Sequence, residues 1–65
     1  MATYEAGQMV EVQIDGAWHP AKVRDVAGAE VWLFLGWQMA DTLTEAGLYK
    51  GGSYTTTTDK VRRVS

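Results

Sequence analysis

Hydrophobic and polar residues alternate along residues 8–14, QMVEVQI. One face of this segment carries Val10, Val12 and Ile14, and the other carries Met9, Glu11 and Gln13. A period of two is typical of a strand with one buried face, so we predict strand 1 here. Asp15-Gly16 follows directly and supplies the positive φ angles of a tight hairpin turn, which predicts that strand 2 begins near Trp18.

Two further segments have the composition of strands, residues 17–26 and residues 30–37. In the first, one face carries His19, Ala21 and Val23, and the other carries Trp18, Pro20, Lys22 and Arg24. Pro20 lacks a backbone donor, so it belongs near a strand start or at a sheet edge. The second segment, EVWLFLGW, is too short between Gly28 and Gly36 for a stable helix, which predicts strand 3 after a connection at residues 27–29.

The third segment divides into an aliphatic face and an aromatic face. Val31, Leu33 and Leu35 share one side, and Trp32 and Phe34 share the other. If the aliphatic set fills the interior, both aromatic rings lie outside, and antiparallel pairing with strand 2 would bring Arg24 and Lys22 beside them. Either these basic side chains cover the rings as cation–π pairs, or the rings form an exposed contact surface.

Residues 38–52, QMADTLTEAGLYKGG, break the strand pattern with Gly47, Gly51 and Gly52. We predict a long loop here, in which Thr42 and Glu45 could form a capping box for one helical turn. A loop of this length in a small domain is either a solvated connection that covers one end of the fold or a functional segment.

The remaining residues predict two more strands. Residues 53–58, SYTTTT, are rich in β-branched side chains and predict strand 4, and a tight turn at residues 58–60 leads into strand 5 at residues 61–64. Five short strands without a long helix predict an all-β fold, in which residues 1–65 form one small barrel domain.

This order of strands and loops resembles that of SH3-like barrels, and residues 15–37 resemble the Tudor family, including its plant agenet relatives. The resemblance rests on Asp15-Gly16, His19-Pro20-Ala21-Lys22-Val23 and Phe34-Leu35-Gly36-Trp37, and residues 61–64 are similar to the closing strand of the family. It implies a five-stranded SH3-like, Tudor-like barrel with a long loop between strands 3 and 4.

The Tudor resemblance also implies an aromatic cage for methylated lysine or arginine, which binds the bulky cation by cation–π attraction and apolar contact. By position, Phe34 and Trp37 would be two walls, and His19 stands where the family usually has another aromatic residue. The first hairpin supplies the remaining wall in the family, and it carries Gln13 and Ile14 here.

The amino-acid composition limits the kinds of functional site that the chain can form. The chain has no cysteine and one histidine, His19, so disulfides, thiol nucleophiles, cysteine zinc sites and histidine pairs are excluded, and we predict no catalytic residue, metal or cofactor. Six basic residues against eight acidic ones give a net charge of −2, which makes nucleic acid an unfavoured partner.

Residues 1–5 lack a basic region followed by an apolar run, and no stretch approaches the roughly 20 apolar residues of a membrane span. We therefore expect a cytoplasmic protein, or a nuclear one if it is part of a eukaryotic reader, without a membrane partner.

The sequence favours a non-enzymatic binding or assembly module that contacts a protein or peptide, including a second copy of itself, through strands 2 and 3 and residues 38–52. The candidate binding residues are Trp18, His19, Trp32, Phe34, Trp37 and Tyr54, with Lys22 and Arg24 as a basic rim.

Three other functions stay open. The first is the Tudor-like reader. The second is a tetrameric barrel similar to the type II dihydrofolate reductases, which this chain resembles in size, in its Ala2-Thr3-Tyr4 opening and in its closing segment; the Val-Gln-Ile-Tyr segment of that family is replaced by Ser53-Tyr54-Thr55-Thr56. The third is a nucleic-acid-binding barrel that uses Lys22, Arg24, Lys60, Arg62 and Arg63.

Overall fold

Residues 4–64 are described by the structure, a computed structural model. Residues 1–3, which include the Ala2-Thr3 part of the opening compared with the reductases, lie outside the described residues, as does Ser65. The elements are β1 (Met9–Ile14), β2 (Ala17–Ala27), β3 (Glu30–Leu35), α1 (Trp37–Glu45), β4 (Tyr49–Lys50), β5 (Ser53–Thr57), a 3₁₀ turn (Thr58–Lys60) and β6 (Val61–Arg63).

The strands form one antiparallel sheet in the order β4-β5-β3-β2-β1-β6, which leaves β4 and β6 at its edges. The mainly β prediction is confirmed. The strand count differs, because Tyr49 and Lys50 form a short sixth strand inside the segment that we expected to be a loop.

The first hairpin forms where the sequence predicts it. Asp15 and Gly16 both have positive φ, 52° and 81°, and they connect Ile14 to Ala17 across the turn. These angles suit the right-handed twist of the two flanking strands, which explains why Asp-Gly specifies the register here. The alternation that follows from this register is confirmed by the buried residues of the first three strands: Val10, Val12, Ile14, Ala21, Val23, Val31 and Leu33.

The pairing of β2 with β3 contains an irregularity that the alternation did not predict. Phe34 lies opposite Lys22 as expected, but the register shifts between Val23 and Asp25. A bulge sets two residues of one strand against one residue of the other, so the partner of Trp32 is Asp25. The predicted pairing of Trp32 with Arg24 is therefore wrong.

The largest correction concerns residues 37–45, which form the helix α1 where we expected a loop. Its first residue follows Gly36, and no side chain caps its N-terminus. The predicted capping box is wrong, because Thr42 lies inside the helix and its hydroxyl donates to the carbonyl oxygen of Gln38 at 3.0 Å.

The helix ends in a Schellman motif, which satisfies its last carbonyl groups. Gly47 has φ 78° and donates its N–H to Thr44 O at 3.0 Å, and Leu48 N–H donates to Leu43 O at 2.7 Å. Leu43 is the buried residue of α1 and joins the core between the strands. The helix therefore covers one end of the sheet. Among residues 4–64, no helix has the length and apolar character needed to cross a membrane.

We expect Leu43→Ala to lower the free energy of unfolding by about 2–4 kcal/mol, since it removes a buried leucine and leaves a cavity that the structure can only partly close. Urea denaturation measures this change. Thr44→Ala, on the exposed side of the same helix, is the matched control and should change stability by less than about 0.5 kcal/mol. A loss below about 1 kcal/mol for Leu43→Ala would mean that α1 is not anchored in the core as described.

Candidate binding surface

Three outward-facing residues lie in register across the sheet. Met9 on β1 is opposite Lys22 on β2, and Lys22 is opposite Phe34 on β3. Met9 is 56% exposed and Phe34 is 43% exposed, although both are large apolar side chains. They border a recess of about 310 Å³, which is lined by Met9, Pro20, Ala21, Lys22, Phe34, Leu35 and Gly36.

Trp37 stands beside this recess and is 73% exposed, more than any other large hydrophobic residue between positions 4 and 64. It is the first residue of α1, whereas the sequence predicted that it would lie at the end of strand 3. A second cavity, of about 420 Å³, is lined by His19, Pro20, Gly36, Trp37, Gln38 and Met39. The two volumes share Pro20 and Gly36, so they are adjacent parts of one surface. We call this the apolar surface and define it as Met9, Pro20, Phe34, Gly36 and Trp37, bordered by Lys22 and His19.

Trp18, another predicted binding residue, lies away from this surface and is covered by an arginine. The guanidinium carbon of Arg62 stands 4.0 Å from the centre of the Trp18 ring, and Arg62 Nε donates to Glu11 Oε1 at 2.8 Å. Glu11 lies opposite Arg62 in the pairing of β1 with β6, so the register itself sets the ion pair. The indole of Trp18 is half-buried as a result.

Arg24 covers part of the aromatic face of β3. Its guanidinium carbon lies 5.9 Å from the centre of the Phe34 ring. Arg24 Nη1 donates to Gly51 O at 3.1 Å and to the hydroxyl of the buried Ser53 at 3.0 Å, so the side chain reaches from β2 across β3 to β5. The cation–π pairing that we expected for Phe34 therefore forms with Arg24. Trp32 is half-buried between Asp25 and Thr55 and lines none of the cavities described here.

Tyr54 lies on the interior side of the sheet, opposite Leu33, and lines a third cavity. This cavity has a volume of about 450 Å³ and lies near the C-terminal end of α1. Its lining residues are Gln13, Ile14, Asp15, Gly16, Leu43, Leu48, Tyr54 and Lys60.

The positions that the Tudor resemblance assigns to a cage are thus divided among three cavities. His19 and Trp37 line one, Phe34 lines the adjoining recess, and Gln13 and Ile14 line the cavity near the end of α1. The Tudor resemblance groups these positions, but alternation along β3 turns Phe34 to the outer face of the sheet. These residues therefore do not enclose a single volume.

The basic residues are also distributed over several places. Lys22 borders the recess, Arg24 is held by Gly51 and Ser53, Arg62 is paired with Glu11, and Lys60 lines the third cavity with Asp15. Arg63 stands 5.2 Å over the ring of Tyr4, whose hydroxyl donates to Val61 O at 3.0 Å. These basic side chains therefore take part in several different contacts, and nucleic-acid binding stays a prediction.

The carboxyl group of Asp59, next to Lys60, has a lowered pKa. The Thr57 hydroxyl donates to the carboxylate of Asp59 and lowers its pKa, and the Lys60 ammonium contributes in the same direction. Asp59 therefore stays ionised to lower pH than an ordinary aspartate. Among residues 4–64, no group of three or more histidine, cysteine, aspartate or glutamate residues is placed to hold a metal ion.

Sequence reasoning missed Met9 as part of the candidate site. Its place on the polar face of strand 1 gave no reason to single it out, yet the hairpin register sets it opposite Lys22 and in line with Phe34. The pairing of strands 1 to 3 was the signal that could have identified it.

Comparisons with protein-family models, with curated proteins and with solved structures find no match to this chain. The chain is therefore described as a small, mainly β protein whose exposed apolar surface lies where β3 leads into α1.

We expect Arg62→Lys to lower the free energy of unfolding by about 0.5–1 kcal/mol, because lysine keeps the charge but loses the planar contact with Trp18. Urea denaturation of the single variants and of the double variant with Trp18→Leu measures the coupling between the two side chains. The effect of Arg62→Lys should largely disappear when Trp18 is already leucine. An equal loss in both backgrounds would contradict the covering role of Arg62.

Proposed function

We propose that the chain is a non-enzymatic protein-binding module whose apolar surface contacts a second copy of the chain. The observation that carries this proposal is the exposure of Trp37, 73%, beside the recess that Met9 and Phe34 border. Tryptophan is among the residues that contribute most to the free energy of protein association, and a contiguous exposed apolar surface on a small protein is typical of a contact site.

The position of Trp37 favours binding because its backbone is already fixed. The residue lies in the first turn of α1, where Ala40 N–H donates to Gly36 O at 2.9 Å. Leu43 holds the same helix in the core. Ordering this indole on association therefore costs only side-chain freedom, which preserves most of the favourable free energy of contact.

The apolar surface carries both a projecting group and a recess, which supports a second copy as the partner. A two-fold axis beside Pro20 and Gly36 would bring Trp37 of each copy into the other's recess, next to Lys22. The Lys22 ammonium would then lie near the face of the indole and add cation–π attraction. Because the apolar surface is small, we expect a weak dimer whose interface buries less than the roughly 1,200 Å² at the lower limit of standard interfaces.

The strand order supports an SH3-like, Tudor-like small barrel as the architecture. Consecutive strands β1, β2 and β3 are neighbours, β5 follows on the far side of β3, and the last strand lies beside the first. SH3-like barrels have the same strand order. This chain differs from them by an added short strand, β4, and by the helix α1 where such a barrel would have a long loop.

A Tudor-like reader of methylated lysine or arginine is the second candidate, because His19 and Trp37 do line one cavity. Its lining contains no carboxylate, and Lys22 borders the adjoining recess, so a cationic ligand would have little electrostatic support. This arrangement supports contact with an apolar side chain better than contact with a methylated cation.

Trp37→Ala should weaken self-association by about 30-fold, corresponding to about 2 kcal/mol for an interface residue of this type. Sedimentation velocity between about 10 µM and 1 mM covers the range expected for a weak dimer. Leu48→Ala removes a similarly exposed side chain, 55%, outside the apolar surface and is the matched control that should dimerise like the parent chain.

A parent chain that stays monomeric at about 1 mM would rule out the second copy as the partner. A trimethyllysine peptide, titrated to millimolar concentration while the Trp37 indole is followed by NMR, then tests the reader. Binding that both Trp37→Ala and His19→Ala abolish would favour the methyl-cation function over the dimer.

A further inference from the structure

The third cavity combines apolar walls with two opposite charges. Ile14 and Leu43 are buried residues of the core, and Leu48 and the Tyr54 ring extend the apolar wall toward solvent. Asp15 and Lys60, which carry opposite charges, belong to the same lining. The volume of about 450 Å³ is large enough for a small molecule.

Both charges are attached to well-defined backbone. Asp15 occupies the first hairpin turn with φ 52°, and Lys60 ends the 3₁₀ turn immediately before Val61, which pairs with Val12. Gln13, the residue after Val12, also lines this cavity. In the described part of the chain, no ion pair within 4.0 Å joins Asp15 to Lys60.

From this arrangement we infer that the third cavity is a binding site for a small zwitterion with an aliphatic body, of which a free aliphatic amino acid is the simplest example. Asp15 would accept hydrogen bonds from the ligand ammonium, and Lys60 and the Gln13 amide would donate to its carboxylate. The aliphatic side chain would then contact Ile14, Leu43 and Leu48. The site shares none of its lining residues with the apolar surface, so the inference does not rest on the proposed self-association.

A zwitterion fits better than a ligand with one charge. A simple anion would be attracted by Lys60 but repelled by Asp15, and a simple cation would meet the reverse arrangement. A neutral apolar compound would leave both charged groups partly desolvated without partners. A molecule that carries both charges at one end and a hydrocarbon group at the other satisfies every part of the lining.

The test uses L-leucine as the probe and amide NMR shifts of the whole chain as the signal. Leucine should shift the signals of Gly16 and Leu48 in a saturable way, whereas 4-methylpentanoate, which lacks the amine, and isoamylamine, which lacks the carboxylate, should bind at least about tenfold more weakly. No saturable shift with leucine, or equal binding of either single-charge analogue, would overturn the inference.

Variants of the protein provide the second part of the test. Asp15→Asn keeps a residue that tolerates positive φ, and Lys60→Gln changes an exposed side chain, so both should stay folded. Each should weaken leucine binding about tenfold, since each removes a charged hydrogen-bond partner. Trp37→Ala is the matched control and should bind leucine like the parent chain, whether or not the chain dimerises. Unchanged affinity in Asp15→Asn or Lys60→Gln would contradict the assignment of the charges.

Discussion

The amount of apolar surface that a 65-residue chain can bury is the constraint on which the rest of this structure depends. The sheet has one interior face, and between residues 4 and 64 the core consists of ten buried hydrophobic residues, five of them valines. Such a core cannot also cover the aromatic residues that alternate to the outer face. Two parts outside the main strands therefore complete it: Leu43 from α1 covers one end, and Tyr4 packs against the last strand with its hydroxyl bonded to Val61 O.

Arginine side chains cover much of what the core leaves outside. Arg62 lies over Trp18, and Arg24 crosses the outer face over Phe34 to reach β5. Both contacts bury apolar ring surface while the guanidinium keeps its hydrogen bonds, so they stabilise the sheet without a second hydrophobic layer. They also link strands that are distant in sequence. Trp37 is more exposed than any other large aromatic residue between positions 4 and 64, and it begins α1 beyond the last residue of β3.

Local patterns predicted the interior face and failed where the chain changes its backbone geometry. Val10, Val12 and Ile14 were assigned correctly because a strand period and an Asp-Gly turn are short-range signals. The helix was missed because Gly36 offers no side-chain cap and Thr42 suggested a later helix start. The bulge near Arg24 has no sequence signal of its own, and it moved Trp32 next to Asp25. Met9 could be assigned to the apolar surface only from the strand pairing, which sets it opposite Lys22. The residues expected to form a cage line different cavities, because spacing along the chain does not determine the direction of each side chain.

The chain's own arginines cover Trp18 and part of the Phe34 ring, and we propose that the exposed Trp37 indole contacts another copy. The indole N–H signals of the three tryptophans in a nitrogen-15 NMR spectrum test this proposal when they are followed as the protein is diluted from about 1 mM to 10 µM. The Trp37 signal should move with concentration, whereas the signals of Trp18 and Trp32 should stay in place. A concentration-dependent shift at Trp18 or Trp32 with a constant Trp37 signal would contradict it.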